Sequence, residues 1–475
     1  MSTEKYVLGM IGLGTMGRNL LLNIADHGFK VSGFDKDSSK VELLDLEANG
    51  NAKGFTSATE FITNLQKPRA VMMLVPAGKI VDSVIAEIAP LLDEGDLIID
   101  GGNSHFTDTN RRVEELKAKG LHFFGMGISG GEEGARKGPS MMPGGDPNAY
   151  EVVRPIFEAL AAKVDGQPCV TYIGPGASGH FVKMVHNGIE YGLMQLIAET
   201  YEIMQKGLSL SGDQIQDIFS RWNQGKLQSF LIEITRDILA FKEHNSQTLL
   251  LDFIKDEARS KGTGKWTSQV AMDLQLPIPT IDSAVEMRDL SKYKELRTAA
   301  SSLYKDGSLK LNTEQRKFIQ SLEDALYFST IIAYAQGMHL LSQASKENNY
   351  TLKLDQIALI WRGGCIIRSV FLEDIYQAFK KDNGLAHLLL DSIVAQKIND
   401  SIAGMRHVVS SCVSSGIAVP AYSASLSYFD ALRSARMPSN LIQAQRDYFG
   451  AHTYERIDAP GVFHSQWNPN ATAEN

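Results

Sequence analysis

Short apolar runs alternate with amphipathic stretches through the first third of the chain, the pattern of strands alternating with helices. The apolar runs predict six strands, at Tyr6–Ile11, Lys30–Phe34, Ala70–Val75, Asp96–Asp100, His122–Ile128 and Cys169–Gly174. Stretches between them predict helices at Met16–His27, Ile80–Leu92 and Asp108–Lys119. Strands separated by helices of this length indicate βαβ units and a mainly parallel sheet.

Beyond about Pro175 the strand pattern nearly disappears, and long stretches with helical periodicity replace it. These stretches predict helices at Ser178–Lys206, Asp213–Trp222, Gln224–Lys242, Thr313–Lys346 and Ala395–Ser414. Ser211 and Gln214 have the spacing of a capping box, and Thr313 is the predicted N-cap of another helix. This part of the chain is therefore predicted to be almost entirely α-helical.

The last segment differs again, because from Met437 the chain becomes polar and contains Pro438, Pro460 and Pro469. Such a tail is predicted to be disordered or to be held by another subunit. Together the three patterns predict an α/β domain, a large all-α domain and a C-terminal tail. The predicted boundaries are 1–176, 177–437 and 438–475.

Composition narrows the class of protein. The chain has 475 residues, with 47 Lys plus Arg against 55 Asp plus Glu, and its net charge of −8 argues weakly against nucleic acid as the main partner. Cys169, Cys365 and Cys412 are too few and too far apart for a disulfide framework or a cysteine-based zinc site. The N-terminus lacks the pattern of a secretory signal, and no window approaches the roughly 18 apolar residues of a membrane span. We therefore expect a soluble, cytoplasmic protein that binds neither nucleic acid nor membrane.

A glycine-rich turn follows the first predicted strand and opens the first predicted helix. Gly12 permits the tight bend, Gly14 lets the backbone approach a pyrophosphate, and Gly17 allows the helix to pack closely on the strand. Asp35, at the end of the second strand, lies where an acid usually binds the ribose hydroxyls. The predicted turn comprises Gly12, Leu13, Gly14, Thr15, Met16 and Gly17. The first domain is thus predicted to be a Rossmann-type dinucleotide-binding domain.

The residues at the predicted ribose site leave the choice between NAD and NADP open. Asp35 favours the free 2′-hydroxyl of NAD and would repel the 2′-phosphate of NADP. Lys36 and Lys40 offset that repulsion, whereas Asp37 adds to it. Two acids against two lysines do not decide the cofactor.

One face of the helix that opens the all-α part carries reactive groups. The residues at i, i+3, i+4, i+7 and i+8 on this face are Lys183, His186, Asn187, Glu190 and Tyr191. A core face with this spacing would carry Leu and Val, whereas this one carries a base, an acid and hydrogen-bonding groups. Backbones seven residues apart are separated by about 10 Å along the helix, so the base and the acid could reach different carbons of one extended substrate. The alternative interpretation is a solvated helix face on which these two side chains never meet.

Three further segments have the composition of site loops. Gly101–Ser104 follows the end of a strand, where α/β enzymes collect their site residues, and Ile128–Ala135 is a second glycine-rich turn after a strand. Lys261–Trp266 places two cations and a hydroxyl on a flexible loop, which suits a phosphate, although a surface loop with solvated lysines would have the same composition.

With these segments the chain resembles the 6-phosphogluconate dehydrogenase family, the decarboxylating enzymes of the oxidative pentose phosphate pathway. The resemblance runs nearly from end to end and rests on the blocks DGGNSHFTDTNRR, GISGGEEGARKGPSMMPGG, FVKMVHNGIEYGLMQLIAE, KGTGKWT and QRDYFGAHTYE. It implies oxidation of 6-phospho-D-gluconate and loss of CO2 to give D-ribulose 5-phosphate. By similarity Lys183 is the general base and Glu190 the general acid, and no metal is needed.

The resemblance also assigns binding residues. The matching substrate positions are Asn103, Ser129, Gly130, Gly131, His186, Asn187, Tyr191, Lys261, Thr263, Arg288, Arg446 and His452. Among them Arg446 and His452 match residues that the family's tail inserts into the partner subunit's site, so the resemblance implies a homodimer with shared active sites. The matching cofactor positions outside the glycine-rich turn are Asp35, Lys36, Asp37, Val75, Pro76, Ala77 and Asn103.

The residues that depart from the family pattern lie at the predicted cofactor-binding positions. The family commonly has Asn-Arg-Thr where this chain has Asp35, Lys36 and Asp37, and a lysine where it has Pro76. Lysine keeps the charge of arginine but loses its stacking and its fork of donors. The resemblance places NADP first as cofactor and NAD close behind it.

Two alternatives to this activity remain at the level of sequence. A smaller-substrate β-hydroxyacid dehydrogenase would share the nucleotide domain and the catalytic lysine, but it lacks the long helical extension and the Lys261 and Arg446 segments. A non-catalytic dinucleotide-binding sensor protein would be expected to have lost a catalytic residue, whereas Lys183, Glu190 and Asn103 are all present.

Overall fold

The structure is a computed structural model that describes residues 5–48, 50–244, 246, 248–304 and 309–467. It contains two compact units, Met1–Ser425 and Leu426–Asn475. The predicted domain boundaries after residues 176 and 437 stay predictions, and the last part of the predicted tail, 468–475, lies outside the described residues.

A seven-stranded sheet forms the centre of the N-terminal part of the first unit. Its order is β3-β2-β1-β4-β5-β6-β7, with every neighbouring pair parallel except the antiparallel β6–β7 edge. The strands are β1 Leu8–Ile11, β2 Val31–Phe34, β3 Ala52–Phe55, β4 Ala70–Met73, β5 Leu97–Asp100, β6 His122–Ser129 and β7 Ser140–Gly144. Crossover helices between parallel strands confirm the predicted Rossmann-type α/β fold.

Among the described residues, seven α-helices accompany this sheet. They are α1 Thr15–Asp26, α2 Ser38–Glu47, α3 Ala58–Thr63, α4 Lys79–Ile88, α5 Phe106–Lys117, α6 Gly131–Lys137 and α7 Pro147–Leu160. Neighbouring strand residues such as Met10 and Ile11, or Met72 and Val71, belong to two different apolar clusters. Because successive side chains of a strand face opposite ways, the sheet has an apolar core on each face.

A small antiparallel pair, β8 Lys163–Val164 and β9 Gln167–Pro168, precedes the all-α part. Its helices are α8 Ser178–Glu202, α9 Gly212–Trp222, α10 Phe230–Ala240, α11 Thr263–Asp273, α12 Pro279–Ser291, α13 Lys294–Leu303, α14 Gln315–Glu347, α15 Leu354–Trp361, α16 Phe371–Lys381, α17 Ser392–Ser414 and α18 Pro420–Leu432. The long α14 packs against α8 and α17, so the helix with the reactive face is supported along its length. None of the helices in the described residues is both long and apolar enough to cross a bilayer.

The structure corrects several predicted elements. The predicted strand Cys169–Gly174 is wrong, because this segment makes only isolated bridges, from Val170 to Met141 and from Gly174 to Gly144. Thr313 is not an N-cap, since α14 begins at Gln315 after Glu314. The capping box of Ser211 and Gln214 is confirmed at the start of α9.

The second unit is organised around one buried carboxylate. Helix α19 Ser439–Gly450 is followed by the antiparallel pair β10 Tyr454–Glu455 and β11 Val462–Phe463. Asp447 is fully buried and accepts hydrogen bonds from the backbone N–H of Thr453 and Ser465 and from Trp467 Nε1, at 2.9, 3.0 and 2.7 Å. Although burial raises the pKa of Asp447, these hydrogen bonds and His464 lower it to about 2. Much of the polar tail is therefore folded.

Candidate active site

The glycine-rich turn has the geometry of an anion-binding helix N-terminus. A Cβ on Gly17 would lie 1.9 Å from the Gly12 carbonyl oxygen, so only glycine lets α1 pack this closely on the turn. Gly14, the N-cap of α1, has open space where a Cβ would be, and no acid lies in the first turn of the helix. The first amides of α1 have no partner inside the helix and can bind a pyrophosphate.

Asp35 stands beside this turn and is fixed by the backbone. Its Oδ2 accepts a hydrogen bond from the Leu13 N–H at 2.9 Å, and its Oδ1 accepts one from the Asp37 N–H at 3.0 Å. Lys40 Nζ lies 3.4 Å from Oδ2, and Lys36 Nζ pairs with Glu87 at 2.8 Å. A carboxylate held in this place is suited to ribose hydroxyls.

Asp37 has a structural role in addition. Its side chain caps α2 by accepting a hydrogen bond from the Ser39 N–H, and hydrogen bonds from Ser39 lower the pKa of Asp37. Asp37 therefore remains ionised next to the expected ribose.

A cleft extends from the turn along the carboxyl ends of the strands. Its walls include Met16, Val75, Pro76, Ala77 and Asn103 from the sheet domain and Lys261 and Trp266 from the helical part. This places the predicted nicotinamide-side residues and one predicted phosphate ligand on one continuous surface. Carboxyl ends of parallel strands are where α/β folds bind such ligands.

The loop that carries Asn103 is held by the buried Asp100. Its Oδ1 accepts the Gly102 N–H at 2.9 Å and its Oδ2 accepts the Ser104 hydroxyl at 2.6 Å. His180 of α8 lies 3.0 Å from the Asp100 carbonyl oxygen, which joins this loop to α8. Burial lowers the pKa of His180, so it makes this contact as a neutral ring.

The position of Lys183 is set by the packing of α8 on β6. A Cβ on Gly127 would lie 2.3 Å from Cβ of Lys183, so a larger residue in β6 would displace the helix. The Lys183 side chain is only 5% exposed. The solvated-face interpretation is wrong, because His186, Asn187 and Tyr191 on the same face are also buried.

A chain of hydrogen bonds joins five of the predicted residues. Lys183 Nζ lies 3.4 Å from His186 Nδ1, and His186 Nε2 lies 3.1 Å from Ser129 Oγ. Asn187 Oδ1 lies 3.0 Å from His186 Nδ1, while Asn187 Nδ2 donates to Thr263 Oγ1 at 3.3 Å. Lys183, the second glycine-rich turn and the first residue of α11 thus meet at one place.

The two proposed acid–base groups have pKa values displaced in opposite directions. Burial lowers the pKa of Lys183 to about 8, although Glu190 and Cys365 act against this. Burial raises the pKa of Glu190, although Lys183 and Arg288 act against it. A lysine that can be an amine and a glutamate that can stay protonated are what a base and an acid on one helix require.

The predicted phosphate residues are divided between the two compact units. The guanidinium carbon of Arg288 lies 3.5 Å from the ring centroid of Tyr191, and Lys261 is exposed at the cleft. Arg446 and His452 belong to the second unit, where both are exposed and Arg446 Nη1 donates to Gln443 at 3.0 Å.

Gly130 and Gly131 follow Ser129 with φ angles of +118° and +62°, which favour glycine. A Cβ on Gly130 would lie 2.6 Å from the Gly364 carbonyl oxygen.

Within the described residues, no group of three or more His, Cys, Asp or Glu side chains is placed to hold a metal ion.

Two family models together match most of the chain. The NAD binding domain of 6-phosphogluconate dehydrogenase matches residues 7–174, and the 6-phosphogluconate dehydrogenase C-terminal domain matches residues 179–467. The chain belongs to the 6-phosphogluconate dehydrogenase family.

Individual relatives agree with this. The chain is 50% identical over 466 residues to a Bacillus subtilis protein named 6-phosphogluconate dehydrogenase, NADP(+)-dependent, decarboxylating, with 98% of this chain and 99% of that protein covered. It is 52% identical over 449 residues to the Schizosaccharomyces pombe decarboxylating 6-phosphogluconate dehydrogenase, covering 94% of this chain and 91% of that protein. Plasmodium falciparum 6-phosphogluconate dehydrogenase, solved in its apo form, with its cofactor NADP+ and with its substrate 6-phosphogluconate, superimposes with a TM-score of 0.94. It is 45% identical, covering 97% of this chain and 100% of that chain.

In this member of the 6-phosphogluconate dehydrogenase family, several residues that contact the site lie outside the sequence motifs. The Ile366 N–H donates to Ser129 Oγ at 3.3 Å across 237 positions of sequence. Trp361 lies edge-on to His186 with 5.5 Å between ring centroids, and the buried Cys365 faces Lys183. The only sequence signal for this loop is its glycine pair, Gly363–Gly364, which predicts a turn but no contact.

Proposed function

We propose that this chain catalyses the oxidative decarboxylation of 6-phospho-D-gluconate to D-ribulose 5-phosphate and CO2, with reduction of NADP. The observation that carries the proposal is the buried Lys183, whose pKa burial lowers to about 8, on the same helix as the half-buried Glu190, whose pKa burial raises. The relatives that are 50% and 52% identical to this chain are named for the same activity.

The chemistry divides between the two residues. The Lys183 amine takes the proton of the C3 hydroxyl as that carbon is oxidised; a bound nicotinamide dinucleotide supplies the hydride acceptor. The product is a β-keto acid, which breaks its bond to the carboxylate and releases CO2, leaving the electron pair in an enediol. The Lys183 ammonium polarises the ketone during this step. Glu190 then protonates C1 of the enediol to give the ketose phosphate.

The deciding experiment follows reduced cofactor and CO2 together. Substrate labelled at C1 should release labelled CO2 in equal amount to the reduced cofactor, with 3-hydroxyisobutyrate as the comparison substrate. Reduction without CO2 release would refute decarboxylation, and a preference for 3-hydroxyisobutyrate would favour a smaller-substrate enzyme. If neither substrate is oxidised with either cofactor, the result would favour a non-catalytic sensor protein.

NADP is the proposed cofactor, because the Bacillus subtilis relative is named NADP(+)-dependent. NAD is the second candidate, and a specific observation favours it: Asp35 holds its carboxylate at the ribose site through two backbone N–H groups. Parallel initial rates with each cofactor give the ratio of the two kcat/KM values directly.

We predict that Asp35→Asn raises the ratio of kcat/KM for NADP to that for NAD by about tenfold, because one negative charge leaves the neighbourhood of the 2′-phosphate. The amide oxygen can still accept one backbone N–H, so the turn should keep its shape. Asp37→Asn is the matched control, since asparagine caps a helix as well as aspartate does. Equal changes in both variants would contradict a specific role for Asp35.

The proposed assembly is a homodimer with shared active sites. Each of five large apolar side chains on or next to α12 and α13 is exposed in the single chain: Leu290, Tyr293, Leu296, Leu303 and Tyr304. Apolar surface of this extent supports a protein–protein contact. The three cysteines are all unpaired and buried, which supports the proposed cytoplasmic location.

Arg446→Ala is predicted to raise KM for the phosphorylated substrate by about tenfold to a hundredfold while lowering kcat less, because it removes a charged hydrogen bond to the phosphate. Arg436→Ala, another exposed arginine of the same unit, should leave KM unchanged.

Mixed dimers test whether Arg446 acts across subunits. An Arg446→Ala chain paired with an inactive Lys183→Met chain should regain one complete site with the KM of the wild type. If KM stays high in the mixture, the tail does not serve the partner's site.

A further inference from the structure

His186 is surrounded by groups that differ in what they can donate. It is fully buried, with Asn187 Oδ1 at 3.0 Å and Lys183 Nζ at 3.4 Å from Nδ1, and Ser129 Oγ at 3.1 Å from Nε2. Trp361 covers the ring edge-on. Burial together with the neighbouring Lys183 holds the pKa of His186 well below its usual value, so the ring is neutral and carries one proton.

The surrounding hydrogen bonds select which nitrogen carries that proton. Asn187 uses its amide nitrogen to donate to Thr263, so its oxygen faces Nδ1 and can only accept. Ser129 Oγ accepts the Ile366 N–H, and its own hydroxyl hydrogen remains to be donated to Nε2. Both sides therefore select the tautomer with its proton on Nδ1.

That tautomer affects Lys183. The Nδ1 proton is donated to Asn187 Oδ1, so Nδ1 has no free lone pair to accept a hydrogen bond from an ammonium at Nζ. The N–H dipole also opposes the charge of an ammonium, whereas a neutral amine meets neither penalty. We propose that His186, fixed in the Nδ1–H tautomer by Asn187 and Ser129, is a positioning residue that keeps Lys183 in the amine form. The inference rests on the proposed function, since it concerns the base of that reaction. It gives His186 a role besides substrate binding.

The other groups around Lys183 do not provide this effect. Glu190, on the same helix, would stabilise the ammonium, and burial raises the pKa of Cys365 to about 12, so this thiol is neutral. From β6 the backbone of Gly127 faces Lys183, and the neighbouring residue of α11 is Thr263; neither has a charge. His186 is therefore the group beside Lys183 that disfavours the ammonium and so favours the neutral amine.

Two isosteric replacements separate this role from substrate binding. In His186→Asn the amide nitrogen can take the place of Nδ1, whereas in His186→Gln it can take the place of Nε2. Wild-type kcat/KM should fall tenfold per pH unit below about pH 8, because the base must be unprotonated. We expect His186→Asn to show this fall in kcat/KM at the same pH as the wild type. In His186→Gln the fall should begin about one pH unit higher. KM should be raised in both variants.

A second pair covers the case in which both His186 variants fail to fold. Ser129→Ala removes the hydroxyl donor to Nε2, so kcat/KM should begin to fall at a higher pH. Ser129→Thr keeps the hydroxyl and should show no such shift. If the two variants of each pair that folds lose kcat/KM at the same pH, the proposal is overturned.

A measurement without turnover separates this proposal from the proposed function. The ¹⁵N spectrum of histidine-labelled protein, with the His186 signals identified by their loss in His186→Asn, should show a proton on Nδ1. The Lys183 titration, followed by ¹³C labelling of lysine, should rise in pH in His186→Gln. A proton on Nε2, or an unchanged lysine titration, would overturn the proposal even if the wild type showed no dehydrogenase activity.

Discussion

Replacing Lys183 by methionine is expected to lower kcat by about 10³-fold or more, because no other group on this face can take the C3 hydroxyl proton as the substrate is oxidised. Methionine has a similar length and no charge, so it should fit a side-chain position that is only 5% exposed. The buried amine is replaced by an apolar group, and the melting temperature should therefore not fall. Steady-state rates at saturating substrate and cofactor measure the effect.

The controls separate loss of chemistry from loss of binding. NADP binding, followed by quenching of tryptophan fluorescence, should be unchanged in Lys183→Met, since Lys183 is not among the predicted cofactor residues. Lys265→Met, at an exposed lysine in the first turn of α11, should keep the wild-type kcat. A Lys183→Met enzyme with turnover close to that of the wild type would reject Lys183 as the base.

The parts of the site that the sequence predicts are those set by local spacing. The glycine spacing of Gly12, Gly14 and Gly17 and the helical periodicity of Lys183 and His186 depend on residues within one or two turns of each other. Both features appear in the structure as predicted. A regular backbone determines which side chains share a face, and short-range sequence is sufficient for that.

The parts that it misses depend on distant segments. The N–H of Ile366 reaches Ser129 from far along the chain, and no pattern around either residue indicates the contact. The predicted strand at Cys169–Gly174 fails for a related reason, because an apolar β-prone run forms a strand only if a neighbour pairs along its length, and here only single bridges form. Strand β7 was missed because its sequence SMMPG ends in a turn signal and its ladder with β6 is antiparallel, outside the βαβ pattern.

The acid–base assignment also needed the structure. A lysine and a glutamate on one helix face can equally be solvated charges, and only burial gives them displaced pKa values. The structure supplies that burial through the close approach of Gly127 to Lys183 and the packing of α14 on α8. Sequence indicated which groups share the face; tertiary packing determines their protonation.

Glu190→Gln is expected to lower kcat by about 10²-fold to 10³-fold, because glutamine cannot give a proton to C1 of the enediol. The change is nearly isosteric, and it removes a carboxyl group whose pKa is raised by burial, so the fold should tolerate it. A raised pKa keeps Glu190 protonated to higher pH than an ordinary glutamate. The wild-type kcat should therefore decline on the alkaline side as this acid ionises, and that decline should be absent in the variant.

Deuterium exchange identifies the step that Glu190 serves. In D2O the wild-type enzyme should incorporate deuterium at C1 of ribulose 5-phosphate, and Glu190→Gln should lose this exchange by a similar factor to kcat. Glu202→Gln, near the end of the same helix and paired with Lys206 on the surface, is the control and should keep both rates. Exchange at the wild-type rate in Glu190→Gln would mean that another group protonates the enediol. Loss of exchange together with an unchanged rate of hydride transfer in a single turnover would place Glu190 after oxidation, as the acid of the last step.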